Sequence, residues 1–183
     1  MWSGLCRFIL KISGWKVHGL EELKRLNQYI IIVAPHTSNW DFIVGMLVRY
    51  GNHLTHVKYL GKDSLFRFPY GFLFKAMGGF PVDRSKKNNL VDSYVDFLQT
   101  HPQISIVIAP EGTRHKVEHF KTGFYFIAKG AKIPVICCPF DFKNKTVSFD
   151  PPFYCTENSI NDLEVLENRF KGVEGKNPKY NFT

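Results

Sequence analysis

Long apolar runs are missing from the sequence, and no stretch approaches the 18 or more residues that a helix needs to cross a bilayer. Residues 1–15 mix apolar side chains with Arg7 and Lys11 and have no small-residue cleavage site, which argues against a signal peptide. This mixture fits an interfacial amphipathic helix. The aromatic and cationic segment 65–75 fits either a contact with lipid headgroups or an ordinary core. We therefore expect peripheral attachment to the cytoplasmic face of a membrane.

Cysteine is scarce, with four residues in a chain of 183. This number does not make a disulfide framework, and Cys137 and Cys138 lie inside an apolar run, so we expect reduced and buried thiols. The histidines and cysteines also lack the spacing of a metal site, since His115 and His119 form an isolated pair. The sequence predicts neither a metal nor a resident cofactor.

Motifs for nucleic-acid binding are absent, because the basic residues are scattered and there is no zinc-finger spacing or RNP-type aromatic motif. The formal net charge of +8 nevertheless indicates anionic partners. Once nucleic acid is set aside, an anionic membrane surface or an anionic lipid remains. A G-x-S-x-G nucleophile elbow is missing as well, so no nucleophilic serine is presented.

No repeat and no flexible linker divides the chain, so residues 1–183 are expected to form a single domain, with a loose tail over 174–183. Uninterrupted apolar runs predict strands that are buried on both faces, and helical patterns lie between them. The predicted strands are 29–34, 54–59, 80–82, 104–109 and 133–139, with an edge strand at 146–149. The predicted helices are 41–50, 69–77, 88–100, 122–130 and 159–171. This alternation predicts an α/β fold in which helices flank a mostly parallel central sheet.

His36 directly follows the first predicted strand, where α/β folds commonly form their ligand crevices. Asp41 comes five residues later, and on one ideal helix the two side chains would lie roughly 140° apart. A strand-to-helix turn, with Ser38 or Asn39 as the helix cap, would let them meet. Asp41 would then fix the tautomer of a general base. The same residues also make an ordinary capping box, so this motif alone leaves both interpretations open.

Two further polar loops follow predicted strands and contain an arginine. Arg114 offers a planar guanidinium to a phosphate, and Gly112 allows the backbone to approach a ligand closely. Arg84 ends a similar run, and Lys121 precedes a predicted helix whose N-terminus attracts anions. Each arginine alone could equally be solvated or paired with a neighbouring carboxylate. Their repeated placement after strands favours recognition of a phosphate.

Taken in order, the motifs His36-x4-Asp41, 79–84, 110–114 and 133–136 resemble those of the 1-acylglycerol-3-phosphate acyltransferase family, the PlsC-like lysophospholipid acyltransferases. The resemblance covers roughly residues 30–140, and the first and third motifs are the most specific. It implies the glycerolipid acyltransferase fold. It also implies direct transfer of a fatty acyl group from an acyl-carrier-protein or coenzyme A thioester to a lipid hydroxyl, without an acyl-enzyme.

The resemblance further implies that His36 deprotonates the hydroxyl and that Asp41 orients His36. The residues expected to bind the acceptor are Arg84, Glu111, Gly112, Thr113, Arg114 and Lys121. The expected acceptor is 1-acyl-sn-glycerol-3-phosphate, which would give phosphatidic acid. Alternatives are the same chemistry on a lyso-aminolipid or on glycerol 3-phosphate, or a non-catalytic module that binds lipid or an acyl carrier.

Overall fold

A computed structural model describes residues 2–82 and 90–182 of the chain. Across these ranges one sheet has the strand order β1-β7-β6-β2-β5-β3-β4. The strands are β1 (Lys16–His18), β2 (Ile30–Ala34), β3 (Val57–Lys62), β4 (Gly79–Val82), β5 (Ser105–Ile108), β6 (Val135–Asp141) and β7 (Thr146–Ser148). The helices are α1 (Trp2–Ile12), α2 (Leu20–Lys24), α3 (Asn39–Gly51), α4 (Gly71–Ala76), α5 (Leu90–Thr100), α6 (Gly123–Ala131) and α7 (Ser159–Asn168).

Neighbouring strands run parallel except for β6 and β7, which are antiparallel. A short connection suffices between β6 and β7, whereas parallel neighbours need a longer crossover, and helices supply most of these crossovers. The predicted α/β class, with a mostly parallel sheet flanked by helices, is confirmed.

Side chains of β2 alternate between two cores, because successive residues of a strand point to opposite faces of the sheet. Ile30 and Ile32 join the core that α5, α6 and α7 cover. Tyr29 and Ile31 join the core that α1 and α3 cover. All four side chains are at most 3% exposed. Burial on both faces explains why the strand is a continuous apolar run and not an alternating one.

Two short elements, β1 and α2, were not predicted, because three and five residues are too few to show a period in the sequence. The presence of β1 means that β7 is not the outermost strand of the sheet. This strand was expected at the edge of the sheet, but it lies between β6 and β1, and the parallel pairing with β1 covers its outer side. The edge assignment was therefore wrong.

The segment 174–182 is packed against the domain, in contrast to the loose tail that was expected over 174–183. Phe182 is 4% exposed, and its ring centroid lies 4.3 Å from that of Phe120. The Phe142 N–H donates to the Glu174 carbonyl at 2.8 Å. An apolar anchor and a backbone hydrogen bond thus hold a segment whose composition is mostly polar.

Across residues 2–82 and 90–182, no helix has the length and apolar character that crossing a membrane would require.

Candidate active site

The first and third motifs meet because the strands that precede them are neighbours. β2 and β5 pair in parallel, with Ile32 opposite Ile108. His36 comes four residues after Ile32, and Glu111 comes three residues after Ile108. Carboxyl ends of parallel strands lie at the same edge of a sheet, so the two loops leave the sheet side by side.

A strand-to-helix turn brings His36 to Asp41, as the sequence requires. Ser38 is extended, with φ −153° and ψ 161°, and α3 begins at the next residue. Its hydroxyl accepts the Trp40 N–H at 3.2 Å, and its own N–H donates to Asp41 Oδ2 at 2.8 Å. His36 Nδ1 lies 3.0 Å from the same Oδ2. The capping box and the His–Asp pair, which the sequence left as alternatives, are therefore both present.

Asp41 Oδ2 is shared by three groups: the Thr37 N–H at 2.8 Å, the Ser38 N–H at 2.8 Å and His36 Nδ1. The carboxylate is 4% exposed. A carboxylate only accepts hydrogen bonds, so we assign the proton of the neutral imidazole to Nδ1. Nε2 then has a free lone pair, and in the described part of the chain no group bonds to it. The His36 side chain is 26% exposed, which leaves it accessible to a substrate.

Glu111 holds the backbone of His36. Its two carboxylate oxygens accept the His36 N–H at 2.9 and 3.1 Å, and the residue is 3% exposed. The sequence analysis placed Glu111 among the residues that bind the acceptor, but a side chain so buried leaves little surface for a ligand. We therefore reassign it to support of the base. Its partner is a backbone N–H 75 positions away, which no sequence pattern reveals.

Burial raises the pKa of Glu111 to about 7. The His36 N–H and the charge of His36 act against this rise, while the charge of Asp41 adds to it. Two carboxyl groups thus share the surroundings of one histidine, and near neutral pH the burial of Glu111 favours its uncharged form.

The remaining predicted residues of the third motif lie on the surface of the loop. Gly112 has φ +64°, and a Cβ there would lie 2.6 Å from Lys121 Nζ, so the loop needs glycine for both conformation and space. Thr113 Oγ1 accepts the His115 N–H at 3.3 Å. Arg114 is exposed, and across 2–82 and 90–182 no hydrogen bond or ion pair engages it. Its predicted alternative, an ion pair with Glu111, does not form.

Arg84, the remaining predicted acceptor residue, lies outside the described residues. Arg114 of the third motif and Lys121, which lies against Gly112, are exposed cations of the loop that Glu111 joins to His36, and the contribution of Arg84 stays a prediction.

An apolar cavity of about 200 Å³ extends from the His–Asp pair along the face of α3 that covers the sheet. His36 and Asp41 lie at one end, and Arg49 and Leu54 line it near the end of the helix. Eight residues separate Asp41 from Arg49 on α3, so the cavity follows the helix for roughly 12 Å. Other lining residues are Val33, Phe42, Gly45, Met46, Tyr59 and Val107. Sequence reasoning did not locate this cavity, because it forms between elements that are distant in sequence.

The raised pKa of Glu111 predicts a pH-dependent stability. The folded state holds its proton up to about pH 7, whereas the unfolded carboxyl releases it near 4.5, so the unfolded state binds fewer protons between these values. Stability from this group is therefore fully present below about 4.5 and is lost as pH rises toward 7, by roughly 3 kcal/mol at most. Glu111→Gln mimics the protonated form. Its unfolding free energy minus that of the wild type should therefore increase as pH rises from 5 to 8, measured by urea denaturation. A difference between the two proteins that does not change with pH would contradict the assignment.

Comparisons with known proteins give the family and the fold. A family model described as Acyltransferase matches residues 14–140, more than half of the chain, and this range contains both loops. The crystal structure of the 1-acyl-sn-glycerophosphate (LPA) acyltransferase PlsC from Thermotoga maritima matches with a TM-score of 0.61, over 92% of this chain and 76% of that chain, at 16% identity. At that identity the match shows a shared fold. A search of curated proteins found no match. The chain belongs to the Acyltransferase family, and it is an acyltransferase enzyme.

Proposed function

We propose that the enzyme transfers a fatty acyl group from a thioester donor to the hydroxyl of a lysophospholipid, with 1-acyl-sn-glycerol-3-phosphate as the favoured acceptor and phosphatidic acid as the product. The observation that carries this proposal is the free Nε2 of His36, since this side chain lines an apolar cavity and its backbone N–H is bonded by the loop that contains Arg114. A base, a site for an acyl chain and a site for a phosphate are the three parts that such a reaction needs.

The chemistry needs no covalent enzyme intermediate. The acceptor oxygen attacks the thioester carbonyl carbon while Nε2 of His36 takes the hydroxyl proton. The carbon–sulfur bond then breaks, and the departing thiolate receives that proton from His36. Asp41 stabilises the imidazolium that exists between these steps, because its Oδ2 lies 3.0 Å from Nδ1. Cys137, Cys138 and Cys155 offer no alternative nucleophile, since burial raises the pKa of each thiol, to about 12 in Cys137 and to about 11 in Cys155.

The cavity beside α3 fits the acyl chain of the donor. Its walls are almost entirely hydrocarbon, and each methylene group that moves from water into such a wall contributes about 0.8 kcal/mol. The thioester carbonyl would lie at the His36 end of the cavity. Either an acyl-carrier-protein or a coenzyme A thioester can deliver such a chain, so the cavity fits both predicted donors.

Arg114 and Lys121 support a phosphate on the acceptor. Both are exposed and lie in or against the loop that Glu111 ties to His36. A guanidinium fork binds phosphate through two parallel N–H bonds, and an ammonium adds a point charge. Glycerol 3-phosphate also contains a phosphate, whereas a lyso-aminolipid need not, so the panel of acceptors below separates these alternatives.

The activity test is incubation of the protein with acyl-carrier-protein and coenzyme A thioesters and a panel of acceptors, followed by mass analysis of the products. The panel contains lysophospholipids, a lyso-aminolipid and glycerol 3-phosphate. We expect acylation of 1-acyl-sn-glycerol-3-phosphate. His36→Ala should reduce the rate by about 10²–10⁴-fold, because the general base is lost while the fold is kept. The matched control is His18→Ala, which removes an exposed histidine of β1 and should keep the wild-type rate.

Two outcomes would contradict the proposal. A folded His36→Ala variant with the full rate would remove the base from the mechanism. A wild-type protein that transfers no acyl group to any acceptor in the panel would leave a lipid- or acyl-carrier-binding role in place of catalysis on glycerolipids.

We also propose peripheral membrane binding through α1 and the segment 65–75, together with exposed apolar side chains of α3. In the segment 65–75, Phe68 and Phe72 are 98% and 74% exposed, so these two side chains are not part of the core. On α1 the side chains of Trp2 and Phe8 are 77% and 59% exposed, and on α3 Trp40 and Ile43 are 55% and 46% exposed. α1 packs against α3, and Trp2 and Ile43 line one shared apolar groove. The N-terminal end of α3 follows directly after His36, so membrane contact through this surface would bring the base to the lipid headgroups.

Sedimentation with anionic vesicles tests the membrane proposal. We expect binding at low salt that weakens as salt is raised, because the net charge of +8 is screened. The double variant Trp2→Ser/Phe8→Ser should bind at least severalfold more weakly. The double variant Tyr154→Ser/Ile160→Ser is the matched control, since these residues are 60% and 81% exposed but lie outside α1 and α3. Equal loss of binding in both variants, or none in either, would contradict the assigned surface.

A further inference from the structure

The segment 174–182 reaches the catalytic loop and bonds to Thr37, the residue between His36 and Ser38. Asn177 Nδ2 donates to the Thr37 carbonyl at 2.9 Å. The Asn177 backbone N–H donates to Thr37 Oγ1 at 3.1 Å. Thr37 is 3% exposed, whereas Asn177 lies on the surface, so these bonds are partly buried. Neither the motifs nor the proposed chemistry accounts for this contact.

The two ends of one peptide group are held by different partners. The Thr37 carbonyl and the Ser38 N–H belong to the same planar peptide. Asn177 Nδ2 bonds the carbonyl, and Asp41 Oδ2 bonds the N–H at 2.8 Å. Since Asp41 Oδ2 also orients His36 Nδ1, a rotation of this peptide would disturb the carboxylate on which the base depends.

Asn177 is itself held in place by the rest of its segment. Asn181 Oδ1 accepts the Gly175 N–H at 2.9 Å, and Phe182 packs on Phe120. Gly175 also lies directly against the catalytic loop, because a Cβ there would come within 2.7 Å of Thr37 Oγ1. The segment thus presents an amide donor and a residue without a side chain to the same threonine.

We propose that Asn177 is a positioning residue for the His36–Asp41 pair, and that the segment 174–182 is part of the active site. This inference rests on the proposed acyl transfer for its kinetic tests. Asn177 touches neither His36 nor Asp41, and it acts through the Thr37–Ser38 peptide. Positioning of this kind affects the rate of the chemical step more than substrate binding, since small displacements of a catalytic group are costly.

Kinetic comparison of Asn177→Ala and Asn177→Asp with the wild type tests this role. We expect kcat to fall about tenfold or more in both variants, with KM for donor and acceptor unchanged within about twofold. The aspartate has the same size but no amide donor, so a residue that serves only for packing would tolerate it. Asn144→Ala is the matched control, because that asparagine donates its Nδ2 to the Asp141 side chain in an exposed turn. An Asn177→Asp variant with wild-type kcat would overturn the proposal.

Substitutions at Gly175 and Thr37, which are in close contact, provide a second test if the Asn177 variants are unstable. Gly175→Ala should lower kcat, because its Cβ would meet Thr37 Oγ1 and Cγ2 at 2.7 and 2.9 Å. Gly175→Ala/Thr37→Ser should be faster than Gly175→Ala, since serine removes the colliding Cγ2 and keeps the hydroxyl that accepts the Asn177 N–H. The reverse order would overturn the proposal.

Hydrogen exchange provides a measurement that does not depend on activity. Loss of the Asn177 amide should increase the exchange of the Thr37 and Ser38 amides, which donate to Asp41, at temperatures where the variant is folded. Unchanged exchange in Asn177→Ala would overturn the positioning role. An inactive wild type would count against the proposed function alone, because this measurement would still decide whether the segment holds the loop.

Discussion

One carboxylate oxygen organises the centre of this enzyme. Asp41 Oδ2 receives the N–H groups of Thr37 and Ser38 and faces Nδ1 of His36, all within 3.0 Å. Ser38 is the N-cap residue of α3 and Thr37 precedes it, so the carboxylate that caps the helix also faces the ring of His36. Both interactions use Asp41, and only the four residues 35–38 lie between β2 and α3.

The surroundings of this oxygen are held from two other parts of the chain. Glu111 bonds the His36 N–H from the neighbouring strand end, and Asn177 bonds the Thr37 carbonyl from a segment about 140 residues further along. Both partners are side chains that bond to backbone, which fixes the path of the loop and not merely one rotamer. The apolar cavity then begins where this rigid loop meets α3. A rigid base at the end of a hydrocarbon channel is the arrangement expected for acyl transfer.

Two buried carboxyl groups, those of Asp41 and Glu111, lie near His36, and two negative charges so close together would repel each other. Asp41 Oδ2 accepts two backbone N–H groups, whereas Asp41 Oδ1 has no hydrogen-bond partner among the described residues. Glu111 is mainly desolvated, and its pKa rises to about 7. Protonation of Glu111 removes a negative charge that would otherwise have to be buried beside Asp41.

The long elements and the meeting of His36 with Asp41 could be predicted from the sequence, whereas contacts between distant residues could not. The isoleucine run of β2 predicts a strand buried on both faces, and the His36-x4-Asp41 spacing predicts the turn that joins the pair. The strand β1 has three residues and shows no period, so the position of β7 was misjudged. Glu111 and Asn177 act on backbone groups that are 75 and 140 positions away, and such contacts leave no local pattern. The segment 174–182 was predicted to be loose because most of its residues are polar. The buried side chain of Phe182 nevertheless anchors it to the domain.

Nitrogen NMR of the His36 side chain tests the central claim most directly, because it reports which ring nitrogen holds the proton. The measurement is made at a pH where the imidazole is neutral. If Asp41 Oδ2 orients the base, Nδ1 is protonated and Nε2 has the free lone pair that faces the substrate. A neutral imidazole with its proton on Nε2 would contradict the account, since that tautomer can neither donate to Asp41 nor accept the proton of an acceptor hydroxyl at Nε2.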